Sequence, residues 1–230
     1  MSTLHLTNFI PQQTPLRAQV ANFLRDLILS GKLKPGERVV ERTLAKSLGV
    51  GQATVREALQ VLEHEGLIVK KANTASFVTQ LSAERVTEIV ELRLELEPKA
   101  FALAQRRRTS ADLDELQDLV SRIEEGVVKD DYYQVGSNDV AFHQKVWSMA
   151  GNQTLERILS QLCTPLFAYL MVFLSTSSSP LKERVQSHQV LLEALAGPDE
   201  EKVIQAARNH TNNSWFRFLP PEEDAEELRA

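Results

Sequence analysis

Residues 33–68 read LKPGERVVERTLAKSLGVGQATVREALQVLEHEGLI, and their helix and turn signals decide the fold of the front of the chain. Helical patterns run from about 41 to 48 and from about 52 to 65, and a glycine follows each of them. Ahead of both helices stands Pro35-Gly36, a turn pair that cannot continue a helix. We therefore predict a turn, a short helix, a tight glycine turn and a longer helix.

The flanking residues extend this pattern on both sides. Upstream, residues 16–30 place apolar side chains at the 3.6-residue period of an amphipathic helix. Downstream, two short β-branched runs at 67–70 and 76–79 enclose a polar loop, which predicts a small hairpin. This order of elements is that of a winged helix-turn-helix, in which the second helix braces the third one in the DNA major groove.

The third predicted helix has an apolar face and a polar face. Val55, Leu59 and Leu62 are expected in the core, and Arg56 leaves the helix on another side, toward DNA. Arg42, at the head of the second helix, is placed for a phosphate or a guanine. The spacing of these elements favours a DNA-binding domain, although small helical domains of other kinds show similar turn signals between their helices.

The PGE turn, the LA..LGV turn and the VREAL.LE.EGL block resemble the DNA-binding domain of the GntR family of bacterial transcription regulators. The resemblance covers about residues 14–80 and implies binding to double-stranded DNA. It has two departures. Where the family usually has Ser-Arg, then one residue and Pro or Thr, this chain has Gly51-Gln52-Ala53-Thr54. The wing tip commonly carries Arg-Gly and here reads Asn73-Thr74-Ala75.

Gln52 stands where the family has an arginine that would read guanine. A glutamine side chain is better matched to adenine, or it contacts only a phosphate. It can also be a solvated helix residue with no role in binding. The candidate DNA contacts are Arg42, Gln52, Thr54 and Arg56.

The composition is that of an ordinary globular protein with a charge asymmetry. Of 230 residues, 43% are hydrophobic, and the single cysteine, Cys163, excludes an internal disulfide and is expected in the core. Residues 1–80 carry ten Lys and Arg against six Asp and Glu, which favours a nucleic-acid-facing front half. The longest apolar run, 162–174, is too short to cross a bilayer, and we see no signal peptide. We expect a cytoplasmic protein without a membrane partner.

From Ser82 onward the sequence changes to long amphipathic helices, and we see no strand pattern. We expect six of them, which gives a mainly α protein: an N-terminal winged helix-turn-helix followed by an all-α six-helix bundle. The predicted helices lie at about 82–108, 110–129, 131–149, 152–175, 180–196 and 199–217. The predicted domains are a flexible tail at 1–14, the DNA-binding domain at 15–80, the helical domain at 81–219 and an acidic tail at 220–230.

Three of the five histidines fall in the helical half beside an aspartate. Asp139 and His143 are four residues apart, so they share one helical face. His188 and His210 lie on consecutive helices, and their midpoint is residue 199, where the chain turns. An antiparallel hairpin would therefore place both imidazoles at one level. Three imidazoles and a carboxylate suit zinc above all, with nickel, manganese or iron as alternatives.

Simpler interpretations of these residues remain open. A lone histidine on an amphipathic helix is more often a satisfied core residue than a ligand. A catalytic metal is another alternative, but we find no HExxH, no second acidic pair near the proposed ligands, and no GxSxG, Walker or GxGxxG motif. We therefore expect a sensor and not an enzyme.

The helical half also resembles the FCD ligand-binding domain of the FadR branch of GntR regulators, in its shorter VanR-like form. Asp139-x3-His143, His188 and His210 match its metal-binding pattern, and the phrase at 187–210 is similar throughout. The resemblance implies a metal that helps to bind a small carboxylate effector. Arg93 matches the family's R..LE phrase and is a candidate clamp for that carboxylate. Alternatively, Arg93 pairs with Glu97 or Glu88 on its own helix.

Together these features predict a metabolite-responsive transcription regulator, with repression relieved by the ligand as the commoner pattern in the family. We expect a homodimer that matches a pseudo-palindromic operator. The effector would shift helix packing, and the junction at 78–84 would pass this change to the DNA-binding domain. A helical body with a purely structural metal is the alternative.

Overall fold

The structure is a computed structural model that describes residues 14–71, 75–176 and 182–215. The chain divides into two compact units, residues 1–80 and 81–230. The acidic tail and all but the last residue of the predicted N-terminal tail lie outside the described residues. So do Asn73 and Thr74 of the predicted wing tip.

In the residues that the structure describes, the first unit contains three helices and a small antiparallel sheet. Its helices are α1 (Leu16–Leu29), α2 (Glu41–Leu48) and α3 (Gln52–His64). Its strands are β1 (Arg38–Val39), β2 (Ile68–Lys71) and β3 (Ala75–Val78), in the order β1-β3-β2. This is the predicted winged helix-turn-helix, with β2 and β3 forming the wing.

The core of the first unit lies between α1 and α3. Val20 and Leu24 of α1 are fully buried, as are Val55 and Leu62 of α3. Burying each aliphatic side chain of this size contributes about 1.5–3 kcal/mol to stability. The prediction that Val55, Leu59 and Leu62 face the core is confirmed, and the opposite face of α3 is left for other contacts.

Gly49 makes the tight turn between α2 and α3. Its φ of 66° is left-handed, and the Val50 amide donates back to the Ala45 carbonyl at 3.1 Å. A side chain at this φ would be strained, which explains why the helix pair is joined by glycine. The turn directs the N-terminus of α3 away from the core.

The sheet has one strand more than the predicted hairpin. β1 pairs antiparallel with β3, with Arg38 opposite Phe77 and Val39 opposite Ser76. Backbone bonds between Gly36, Glu37 and Val78 extend this pairing. A two-residue strand is too short for a period-2 pattern to show, so the sequence could not indicate it.

The second unit consists, in its described part, of six α-helices. They are α4 (Ala83–Arg107), α5 (Ser110–Val128), α6 (Tyr132–Met149), α7 (Gln153–Thr176), α8 (Lys182–Ala196) and α9 (Glu200–Trp215). Every end lies within two residues of its predicted position. Across the described parts of the chain, no helix is long and apolar enough to cross a membrane.

Side-chain caps explain where three of these helices begin. Ser82 Oγ accepts from the Arg85 amide before α4. Thr109 and Asp112 form a reciprocal capping box before α5. Asp131 accepts from the Gln134 amide before α6. These caps satisfy backbone amides that the first turn of each helix leaves without a helical partner.

α4 lies at the centre of the second unit, since α6, α7, α8 and α9 all pack against it. Its buried face carries Val86, Val90, Phe101 and Ala104 at helical spacing. The same face also carries two charged residues, Arg93 and Glu97, both fully buried. A buried charged pair within an apolar core needs polar partners from neighbouring helices.

Candidate metal centre and nucleic-acid interface

Asp139 and His143 lie one helical turn apart on the inner face of α6. Both side chains are buried, at 3% and 0% exposure. Phe142, which shares this face, packs its ring edge-on against His143, with the ring centroids 5.8 Å apart. The period of α6 thus carries a carboxylate and an imidazole into the core together with the aromatic residues.

His188 and His210 come from α8 and α9. The two helices are joined by the turn at 197–199, and the imidazole centroids lie 4.7 Å apart. Both side chains are buried. The hairpin therefore places the two rings side by side, as the midpoint at residue 199 predicts.

The four side chains converge on one point. Each residue offers one ligand atom, and these atoms all lie within 4.8 Å of one another. His143 Nε2 is 3.2 Å from His210 Nε2, and His188 Nε2 is 2.8 Å from Asp139 Oδ1. Two ligand atoms about 2.1 Å from a shared ion stand about 3.0–3.4 Å apart, so the imidazole pair already has that separation. The donor set fits a divalent transition metal.

Burial keeps two of the imidazoles neutral. Desolvation lowers the pKa of His143, although the neighbouring Glu97 charge opposes this shift. Desolvation also lowers the pKa of His210, together with the nearby His188 and His143 rings. His210 Nδ1 is buried and has no hydrogen-bond partner among the described residues. A neutral imidazole is the form that ligates a metal ion, so this environment suits metal binding.

Arg93 lies beside this cluster but is bound to a carboxylate of its own helix. Its Nε donates to Glu97 Oε2 at 2.6 Å, and the side chain is 1% exposed. Burial alone would lower the pKa of Arg93, but the charge and hydrogen bond of Glu97, together with the nearby Cys163 and Asp139, raise it overall. Of the two pairings considered from sequence, Arg93 makes the one with Glu97, while Glu88 binds Arg85 at 2.6 Å.

The terminal nitrogen Nη2 of Arg93 also contacts His143. It lies 3.4 Å from Nδ1 and 3.2 Å from Nε2 of the imidazole. An atom nearly equidistant from both ring nitrogens cannot lie along either lone pair, so the guanidinium stacks on the ring face. The guanidinium also lies over the Phe167 ring, with its carbon 5.1 Å from the ring centroid.

From sequence, Glu97 was considered only as a partner of Arg93, and its contact with His143 was not predicted. Its oxygens accept from His143 Nδ1 at 2.7 Å, Trp147 Nε1 at 3.2 Å and Thr211 Oγ1 at 3.1 Å, besides Arg93. Although burial opposes it, the charge of Arg93 and the hydrogen bonds from His143 and Arg93 lower the pKa of Glu97, so the carboxylate stays ionised. Glu97 is one further buried acid beside the ligands and does not form an acidic pair with Asp139. The sequence feature that could have indicated this role is the presence of two charged residues, Arg93 and Glu97, four positions apart on the apolar face of α4.

The proposed DNA contacts lie around the N-termini of α2 and α3. Arg42 and Gln52 are exposed, and Thr54 is partly buried. Gln52 is the first residue of α3, whose N-cap Gly51 has no capping side chain. Free backbone amides at a helix start attract anions, so this end suits a phosphate group.

Arg56 is exposed but has a carboxylate partner. Its Nη2 and Nε lie 3.0 and 3.1 Å from Glu41 Oε2, and this contact raises the pKa of the guanidinium. The pair joins α3 to the start of α2. An exposed pair of this kind contributes little to stability, so Arg56 can exchange Glu41 for another anion at small cost.

A cleft of about 460 Å³ opens beside these residues, between α2, α3 and the sheet. Besides Arg42 and Gln52, it is lined by Arg38 of β1 and by Lys70 and Lys71 of β2. From sequence, these three cations counted only toward the charge of the front half. The structure gathers them on one side of the wing, where basic groups can contact a DNA backbone.

The chain matches known families over most of its length. Residues 16–78 match the bacterial regulatory proteins of the gntR family, and residues 88–213 match the FCD domain. The chain belongs to the GntR family. It is a transcription regulator with a DNA-binding winged helix-turn-helix and an FCD domain, as its sequence predicts, and its relatives and fold are those of regulators and not of enzymes.

Individual relatives agree with this assignment. The HTH-type transcriptional regulator McbR of Escherichia coli K12 is 31% identical over 189 residues, which are 81% of this chain and 85% of that protein. A probable D-xylose utilization operon transcriptional repressor of Paenarthrobacter nicotinovorans is 28% identical and covers 86% of each chain. The solved structure of E. coli McbR/YncC has a TM-score of 0.78 at 28% identity and covers 88% of this chain and 96% of its own.

Proposed function

We propose that this GntR-family protein is a cytoplasmic, homodimeric repressor whose helical unit binds a divalent metal ion and a small carboxylate effector. Effector binding would release the protein from a pseudo-palindromic operator. The observation that carries the proposal is the buried convergence of Asp139, His143, His188 and His210 within 4.8 Å. Such a set is costly to bury without a shared partner, because each group gives up its hydration.

The donor chemistry limits which ion the site would hold. Three imidazoles and one carboxylate are borderline ligands that suit zinc best, and nickel, manganese or iron also accept them. A bound ion supplies positive charge and coordination positions that a carboxylate can occupy. Calcium and magnesium are less suited, because they prefer sites made of oxygen atoms.

Arg93 is the proposed second contact for the effector carboxylate. Its guanidinium stacks on His143, so it lies next to the ligand cluster. Glu97 already holds the Nε edge of this guanidinium. An effector would therefore bind Arg93 by sharing it with Glu97, and the two carboxylates would compete for the same cation. This competition offers a route by which effector binding disturbs the packing of α4 against α6 and α9.

In this proposal, the first unit binds the DNA. Arg42, Gln52, Thr54 and Arg56 would contact the operator, and two copies of the chain would match its two half-sites. Coupling through residues 78–84 requires an effector that binds the DNA-competent and released arrangements with different free energies. Repression is supported by two relatives that are named as operon repressors, one of them for the gluconate operon.

The proposal is tested by a thermal-shift screen of small carboxylates on tag-free protein, with and without zinc. A true effector should raise the melting temperature of the zinc-loaded protein only, and it should release DNA selected by the same protein. The His188→Ala variant is the matched control and should show neither effect. Stabilisation that is equal in metal-free protein and in this variant would contradict a metal-dependent effector site.

A second candidate function is a regulator whose metal is purely structural. The complete burial of the ligands and the pairing of Arg93 with Glu97 favour a closed site. In that case zinc would raise the melting temperature strongly, and no carboxylate in the screen would change DNA affinity. Release of DNA by a carboxylate at constant zinc occupancy would exclude this alternative.

A further inference from the structure

Glu97 makes polar contacts with four side chains, yet it is not one of the metal-ligand candidates. Its Oε1 lies 2.7 Å from His143 Nδ1 and 3.2 Å from Trp147 Nε1. Its Oε2 lies 2.6 Å from Arg93 Nε and 3.1 Å from Thr211 Oγ1. These partners come from α4, α6 and α9, so one carboxylate ties three helices together at the site.

The position of Glu97 excludes a direct role as a ligand. It contacts Nδ1 of His143, whereas Nε2 of the same ring faces His210 at 3.2 Å. The two ring nitrogens point in different directions, so the carboxylate lies on the side of the imidazole away from the other ligand atoms. Glu97 therefore acts on the metal site without coordinating the ion, and among the ligand candidates it contacts His143.

We propose that Glu97 is a positioning residue that makes His143 a metal ligand. By accepting a hydrogen bond from Nδ1–H, it holds the proton on that nitrogen and leaves the Nε2 lone pair aimed at the cluster. A carboxylate in this place also fixes the orientation of the ring and increases the electron density that its other nitrogen offers to a metal. The inference rests on the proposed function, because it assigns a role within that metal site.

Glu97 has a second effect at the same point. Arg93 carries a positive charge against the face of His143, and an unopposed cation there would repel a divalent ion. The Glu97 carboxylate balances that charge and accepts a hydrogen bond from Arg93 Nε. Arg93 can therefore stay beside a metal ligand without cancelling the site's affinity for a cation.

The first test needs no change at Glu97. In metal-free protein labelled with ¹⁵N-histidine, long-range proton–nitrogen correlation spectra distinguish the two neutral tautomers. The His143 signals are assigned by their loss in the His143→Asn variant. We expect the Nδ1–H tautomer at His143. Observation of the Nε2–H tautomer would overturn the assignment, whatever the metal content of the protein.

The second test is zinc affinity, measured by competition with a chromophoric chelator on the full chain. Glu97→Gln should weaken zinc binding by about 10–100-fold, the usual effect of removing a carboxylate that supports a metal-bound histidine. The control, Glu95→Gln, removes an exposed carboxylate of α4 and should stay within about twofold of wild type. Unchanged affinity in Glu97→Gln would overturn the positioning role.

A matched pair of double variants separates the hydrogen bond from the charge. Arg93→Met/Glu97→Gln keeps a neutral acceptor for His143, and Arg93→Met/Glu97→Met keeps none, while neither retains a buried charge at these two positions. The Gln variant should bind zinc several-fold more tightly than the Met variant. Equal affinities would show that the carboxylate acts only by charge. A wild-type protein without zinc affinity would instead overturn the proposed function itself.

Discussion

His143 Nε2 lies 3.2 Å from His210 Nε2, although 67 residues separate them in the chain. His143 belongs to α6 and His210 to α9, and both helices pack against α4. The approach of the two imidazoles therefore depends on the central helix, whose own Glu97 binds His143 from the other side. The positions of the metal-ligand candidates therefore depend on how α4 packs against α6 and α9.

The first prediction concerns pH. Burial lowers the pKa of His143 and His210 below the ordinary value, so the unfolded chain binds protons more readily than the folded one as pH falls below about 6.5. In metal-free protein, each of these two histidines should lower the unfolding free energy as the pH falls from about 6.5 to 5. The expected loss is up to about 1.4 kcal/mol for each pH unit and each histidine. Urea denaturation at several pH values measures this slope.

The matched variant for this test is His210→Asn, which removes one of the two groups. Its unfolding free energy should depend less steeply on pH than that of the wild type over the same range. Stability that is independent of pH between 6.5 and 5, or that rises on acidification, would show that these imidazoles are not held neutral by the fold.

The second prediction concerns DNA. Arg56→Ala should weaken binding to DNA fragments selected by the wild-type protein by about 1–3 kcal/mol if the residue reads a base. If it contacts only a phosphate, the loss of affinity should be similar for all DNA sequences. The slope of the logarithm of the binding constant against the logarithm of the salt concentration should then become less steep by about one unit. Fluorescence anisotropy at several salt concentrations distinguishes these cases.

The control for Arg56 is Arg122→Ala, an exposed arginine of α5 in the second unit. It should leave DNA affinity unchanged, and zinc content should be the same in both variants. Full DNA affinity in Arg56→Ala would refute the placement of α3 in the groove, since this face of the helix would then be free of DNA.

The third prediction concerns the packing of α5 against α6. A Cβ at Gly126 would lie 2.9 Å from Val135 Cγ2 and 3.0 Å from the Val135 backbone nitrogen. Gly126→Ala should gain up to about 1 kcal/mol of helix propensity but lose about 1–3 kcal/mol to overpacking. Because a backbone atom cannot move aside cheaply, we expect net destabilisation, seen as a lower melting temperature.

Gly197→Ala provides the comparison. A Cβ there would meet only ordinary contacts, the nearest being the Ala194 carbonyl oxygen at 3.4 Å. Its melting temperature should stay close to that of the wild type. A Gly126→Ala protein as stable as Gly197→Ala would mean that α5 and α6 are less tightly packed than the structure shows.

Much of this architecture was predictable because helical periodicity is a local property. The spacing of Asp139 and His143, and the symmetry of His188 and His210 about the turn at residue 199, indicated which side chains would meet. Periodicity cannot indicate which charged residue lies on a buried face when its partners come from distant helices. The contacts of Glu97 with Trp147 and Thr211 were missed for that reason, since they span 50 and 114 residues.

In the first unit, too, local sequence patterns did not indicate contacts between distant segments. Glycine turns and amphipathic helices predicted the order of elements correctly, and the buried face of α3 followed from its period. The two-residue strand β1 and the cleft that gathers Arg38, Lys70 and Lys71 depend on pairing between distant segments. Neither leaves a periodic signal in the sequence.

The central claim is that Asp139, His143, His188 and His210 hold one metal ion per chain. Native mass spectrometry of tag-free protein, calibrated by elemental analysis, tests it most directly. We expect one divalent ion per chain in the wild type and in the control His64→Ala, whose side chain is exposed. The ion should be lost in His188→Ala and in His210→Ala. Full metal content in both of these variants, or none in the wild type, would contradict the account.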